Sequence, residues 1–227
     1  MIARVVCLAI GGLLAAGVDV RFADQASRDL IRRSREAIGR AAARDLRSLR
    51  LKGLRRVPLE GSEAADGSVE IRILLPDKFL RIDATGAAER RSGFVGRDVL
   101  TPRGDLRRER AQLTRLMLGF AAYAAADDLT IRSTGEAAFA DTTAVDVNGS
   151  GFSGRLVLDA NTFVPLRVVY FVEGGVSTVM SFANRRPVDG WDLPFRVTTQ
   201  TPDRVLETLM FDEIDINPNL TERDFQR

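Results

Sequence analysis

From residue 142 to 216 apolar and polar side chains alternate almost without a break. The runs are 143–148, 155–159, 165–172, 176–182, 193–199 and 205–211, each bounded by Gly, Pro, Asn or Asp. Runs of this length between turn residues predict antiparallel strands joined as a meander. Neighbouring strands of a meander share their alternation, so Val145, Leu156, Leu158, Leu166, Val168 and Tyr170 should face the inside of one curved sheet. Arg167 and Glu173 should face out. Earlier strand patterns fall at 49–57, 69–75 and 78–83, with a weaker one at 90–99, and another follows at 129–134. The total is about ten or eleven strands.

Two stretches switch to helical spacing. From 24 to about 46, Leu30, Ile31, Ser34, Ala37, Ile38, Ala41 and Ala42 recur among Arg and Glu, with Asp24 or Ser27 placed to cap the start. A basic amphipathic helix can lie on a membrane, but packing on its own domain is the commoner outcome and the one expected. From 105 to 126, Leu106, Leu113, Leu116, Met117, Phe120 and Ala124 share a face, and Asp105 sits at the favourable end of the helix dipole. This central helix has two readings. It covers a sheet to complete a core, or it is a lid over a cavity in which Met117, Phe120 and Tyr123 meet an acyl chain. No repeat, low-complexity tract or linker divides the chain, so 24–227 is expected to be one domain.

Composition removes several functions. A net charge of +2 offers no field to gather nucleic acid. The sequence has no histidine, which takes away the commonest general base and metal ligand. Its single cysteine, Cys7, lies in a leader-like start: Arg4, a short apolar core and a small-residue end at Gly17. Residues 1–23 therefore read as a signal peptide, cleaved after Gly17 or near Ala23, and in a bacterium the mature chain would be periplasmic.

Literal motifs do not survive their context. Gly149-Ser-Gly151-Phe-Ser-Gly154 matches G-x-G-x-x-G, but a strand pattern follows it, so no helix N-terminus meets a phosphate and the glycines make a hairpin. Asp215-Ile-Asn217-Pro-Asn219 imitates the start of a calcium loop without its glycine or its closing glutamate, since Gln226 stands there. Asp189 and Asp192 fall in turns. No G-x-S-x-G elbow or S-x-x-K is present. No catalytic residue, cofactor or metal is expected.

Three segments carry a family resemblance. Leu158-Asp-Ala-Asn-Thr-Phe-Val-Pro-Leu-Arg167 combines an Asp-x-x-Thr turn with a Pro-Leu-Arg strand start. Val188-Asp-Gly-Trp-Asp-Leu-Pro-Phe195 places Gly before a strand-opening Pro, and Asn219-Leu-Thr-Glu-Arg-Asp-Phe225 closes the chain. Over roughly residues 25–225 the sequence resembles the LolA/LolB-like lipoprotein-carrier superfamily, which includes periplasmic lipoprotein chaperones and the amino-terminal domain of the stress regulator RseB. The resemblance implies a mainly β (α+β) fold: a strongly curved, half-open antiparallel β-barrel with the N-terminal and central helices closing its mouth. It further implies a non-enzymatic carrier or sensor of lipid or lipoprotein acyl chains. Leu113, Leu116, Met117 and Phe120 of the helix would meet cargo, with Leu156, Leu158, Val168 and Tyr170 of the sheet. An envelope membrane protein that donates or accepts cargo, and transient membrane contact, are the partners implied. The alternative is a regulatory interaction module like RseB.

Overall fold

The computed structural model describes residues 20–39, 46–59, 62–121, 129–134, 140–149, 151–171 and 175–226. Strand β1 (Arg21–Phe22) precedes helix α1 (Gln25–Gly39). An N-terminal meander follows: β2 (Ser48–Leu59), β3 (Ser62–Leu74), β4 (Lys78–Thr85), β5 (Ala88–Val95) and β6 (Asp98–Val99). Helix α2 (Leu106–Ala121) then leads to the second meander. That run comprises β7 (Thr130–Ser133), β8 (Thr142–Gly149), β9 (Phe152–Asp159), β10 (Pro165–Phe171), β11 (Ser177–Val188), β12 (Trp191–Gln200) and β13 (Val205–Ile216).

Among the described residues all thirteen strands join one sheet in the order β1-β7-β8-β9-β10-β11-β12-β13-β2-β3-β4-β5-β6. The two meanders fuse where β13 pairs antiparallel with β2, setting Ile214 opposite Leu51 and Ile216 opposite Leu49. The core row continues through Leu49, Ile73, Phe79 and Phe94, each directly opposite the next. These side chains are nearly all fully buried. Helix α2 is the crossover from the β6 edge to β7 beside the other edge, and it packs on β5, β6 and β9 to β12. Helix α1 packs on β7, β12 and α2.

The expectation of a strongly curved, half-open antiparallel barrel of ten or eleven strands is corrected. The sheet is open, because its edge strands β1 and β6 do not pair with each other. Both are two residues long and offer few free backbone groups, so closure has little to form on. The sheet is also mixed, since β1 runs parallel to β7. The helices lie against the strands and do not close a mouth. The two added strands are these short edges, which no alternation over two residues could reveal.

Local chemistry explains the turns. Asp159 Oδ1 accepts from the Asn161 and Thr162 backbone N–H groups at 2.9 and 2.7 Å and from the Thr162 hydroxyl at 2.9 Å, which builds the β9–β10 turn. Asp189 and Gly190 both have positive φ, as a tight two-residue hairpin requires. Asp24 caps α1, accepting from Ser27 N–H at 2.7 Å, and also accepts from Ser133 N–H at 3.0 Å. The Gly149–Gly154 segment is the β8–β9 hairpin, with Gly149 opposite Phe152 and Gly151 at φ +83. Asp215 is paired with Arg50, and the Asn217 side chain accepts from the Arg47 and Ser48 backbone N–H groups, which accounts for the calcium-like pattern. A 3-10 helix (Glu222–Phe225) packs on β4, held by hydrogen bonds from Arg72 and Arg91 to the chain around it.

Candidate functional site

The site expected from sequence lies under α2. Leu113, Leu116, Met117 and Phe120 are all buried, and so are Leu156, Leu158, Val168 and Tyr170. All eight belong to one continuous hydrophobic core. Register explains how the sheet half assembles: Val145 and Val168 both lie opposite Leu156, and Thr143 lies opposite Leu158. Leu166 departs from the expected row. A bulge between Pro165 and Arg167 puts Pro165 opposite Leu158, leaving Leu166 half-buried. Glu173 and Tyr123 lie outside the described residues.

Helix α2 sits close to the strands. Phe120 packs edge-on against Phe182 of β11, ring centres 6.4 Å apart, and against Phe211 of β13 at 6.0 Å. Gly119 permits this approach, since a Cβ there would fall 1.9 Å from the Phe182 ring. In α1 a Cβ on Gly39 would fall 2.8 Å from Trp191, so that helix is also seated closely.

Toward the end of the sheet that carries the β8–β9, β10–β11 and β12–β13 hairpins, the same face turns polar. Arg81, only 7% exposed, donates to both oxygens of Glu207 at 3.1 and 2.7 Å and to Asp83 at 2.9 Å. Arg55 donates to Glu207 at 3.1 Å. Burial alone would raise the Glu207 carboxyl, but the bonds and charges of Arg81 and Arg55 outweigh it and hold it below its usual range. Burial likewise opposes the charge on Arg81, and Glu207 and Asp83 more than restore it. Beside this network a cavity of about 210 Å³ is lined by Arg55, Asp83, Thr85, Ala88, Glu89 and Arg90. Farther along the face, the Arg115 guanidinium of α2 stacks over the Tyr170 ring at 4.4 Å.

The sequence reading missed this polar row, although its signal was present. Glu207 keeps the phase of Leu209 and Phe211, and Arg81 keeps the phase of Phe79. A charged residue in register with a strand's buried residues requires a buried partner. Among the described residues no group of three or more His, Cys, Asp or Glu side chains could hold a metal, and no helix is long and apolar enough to cross a membrane.

No protein-family model matches the chain, and no curated protein matches it in sequence. Solved structures do. A LolA superfamily protein from Nitrosomonas europaea is similar at a TM-score of 0.63 and 14% identity, over 88% of this chain and 97% of that one. A Vibrio parahaemolyticus domain described as an outer membrane lipoprotein-sorting protein matches at 0.56 and 12% identity, over 88% and 97%. A DUF1329 family protein from Desulfovibrio piger matches at 0.52 and 10% identity, over 88% and 96%. At such identities the likeness is one of fold, and the fold of this chain is the one seen in LolA and lipoprotein-sorting structures.

Proposed function

We propose that this protein is an exported, non-enzymatic carrier or sensor that takes up acyl chains of a lipid or lipoprotein between α2 and the sheet. The observation that carries this reading is the placement of α2. A single crossover helix spans the apolar face of an open sheet and covers it with Leu113, Leu116, Met117 and Phe120. An acyl chain is apolar and without directional needs, so it can replace helix packing on the same surface. Each buried methylene contributes about 0.8 kcal/mol, and one chain of ordinary length offsets a substantial part of the packing that α2 gives up on lifting. The fold shared with LolA and lipoprotein-sorting structures supports the same class of cargo.

Export rests on the leader, most of which lies outside the described residues. Cleavage after Gly17 keeps β1 in the sheet, whereas cleavage near Ala23 removes it, so the first is the site proposed.

The test is fluorescence titration of the purified protein with a fluorescent long-chain fatty acid. Saturable binding is expected. Phe120→Leu retains most of it, since volume and apolar surface suffice. Phe120→Asp loses it, because an unpaired charge would face the same surface. A flat wild-type titration with every lipid tried overturns the reading.

A further inference from the structure

We propose that Arg115, stacked on Tyr170 beneath α2, binds the carboxylate or phosphate head of a single-chain amphiphile whose tail lies on the apolar sheet face under the helix. The inference rests on the carrier reading and names the chemistry of its ligand. Arg115 is half-buried and flanked in sequence by Thr114 and Leu116, both buried. Its Nε is buried and has no hydrogen-bond partner among the described residues. It forms no ion pair with a described carboxylate either; its guanidinium rests on the face of the Tyr170 ring at 4.4 Å. Burial disfavours its charge, and the weak fields of Tyr170 and Glu109 do not restore it.

The carboxylates whose fields reach this place are engaged elsewhere. Glu207 is shared by Arg81 and Arg55. Glu109 takes a 2.6 Å hydrogen bond from the Thr101 hydroxyl on its Oε1, and its Oε2 is buried without a partner and without a bond to Arg115. Among the described residues Arg81 is satisfied on the same face, while the Arg115 Nε has no partner. An unpaired guanidinium in a protected place is costly unless an anion completes it, and its planar fork suits carboxylate and phosphate oxygens.

One neutral donor stands beside it. The Tyr170 hydroxyl makes no hydrogen bond with a described residue, whereas the hydroxyl of Thr178, directly opposite in the β10–β11 register, donates to the Val176 carbonyl. The ring under Arg115, Tyr170, shares its strand face with Val168, which lies opposite Leu156, and all three are buried. A head held at Arg115 would thus place its tail on the residues that form the apolar face, and the amphiphilic order of the site matches that of a single-chain lipid.

The experiment compares a fluorescent long-chain fatty acid with its methyl ester carrying the same fluorophore, on wild type, Arg115→Met and Arg115→Lys. Wild type should prefer the acid by about tenfold or more, the size of a charge-assisted hydrogen bond. Arg115→Met should bring acid and ester to equal affinity by weakening the acid alone, and Arg115→Lys should keep part of the preference. Thermal unfolding of each variant checks that the fold is retained. Inorganic phosphate is added as a competitor: displacement of the acid at micromolar phosphate would assign the site to a free anion and overturn the amphiphile. Equal binding of acid and ester by wild type, or equal loss of both in Arg115→Met, overturns the inference and leaves the carrier reading standing. Binding of neither probe overturns the carrier reading itself.

Discussion

At the scale of single residues, the Arg81–Glu207 pair sets the strongest expectation. Replacing Arg81 with Leu leaves Glu207 buried with Arg55 as its remaining cation, which should cost about 3 kcal/mol or more in urea unfolding. Replacing both, Arg81→Leu with Glu207→Leu, should recover much of that loss, because neither charge is then buried alone. The pH dependence has a definite sign. Glu207 is held below the ordinary value of 4.5, so its contribution is fully present above that value and is lost as pH falls through the lower, folded value. The stability gap between wild type and Glu207→Gln should therefore shrink as urea midpoints are followed from neutral pH down to about pH 3. A constant gap would mean that the carboxylate charge contributes nothing. These residues also show where sequence reading stops. The phase of Glu207 with Leu209 and Phe211 announces a buried acid, but its partner Arg81 lies 126 positions away, and nothing local selects it among so many arginines.

At the scale of elements, α2 was legible and its setting was not. The spacing of Leu113, Leu116, Met117 and Phe120 gave the buried face correctly, as the alternation of Leu156, Leu158, Val168 and Tyr170 gave the strand face beneath it. What no spacing carries is the distance between them. That distance depends on Gly119, which admits the Phe182 ring, and on the T-shaped contacts of Phe120. Phe120→Ala should lower stability by roughly 3–5 kcal/mol, measured by chemical denaturation, because a fully buried ring with two aromatic partners leaves a cavity. Gly119→Ala separates the two readings of the helix. Alanine favours a helix intrinsically, yet its Cβ would collide with Phe182, so α2 must ride higher. If α2 yields to cargo, stability falls and fatty-acid uptake becomes faster in stopped-flow fluorescence. If α2 is only a core helix, stability falls and no uptake is gained. The strand breaks misread by pattern have the same origin. Strand β11 runs on to Val188 through Arg185-Arg-Pro187, and β13 passes a bulge near Asp212 to reach Ile216, because cross-strand pairing with β12 and β2 overrides local turn signals.

At the scale of the whole molecule, the two meanders and their intervening helix could be read from periodicity, but the openness of the sheet could not. It depends on which strands end the order, and β1 and β6 are too short to leave a pattern. Strand β1, only two residues long, nevertheless has a structural role. Arg21 N–H donates to the Leu129 carbonyl at 3.2 Å and Ala23 N–H to the Ile131 carbonyl at 2.8 Å, so β1 covers the outer edge of β7. Asp24, next in the chain, caps α1 and reaches Ser133 on the same strand. Two chains, beginning at Val18 and at Asp24, should therefore differ although neither carries the apolar leader. The chain from Val18 should show the full thermal transition and remain monomeric. The chain from Asp24 keeps the helix cap but loses both backbone hydrogen bonds to β7, at a cost of about 1–3 kcal/mol, and exposes that strand's unpaired edge to other copies. A lowered melting temperature and concentration-dependent association in sedimentation are the expected results. Identical stability of the two chains would show that β1 contributes nothing to the sheet and would remove the structural reason for placing leader cleavage at Gly17.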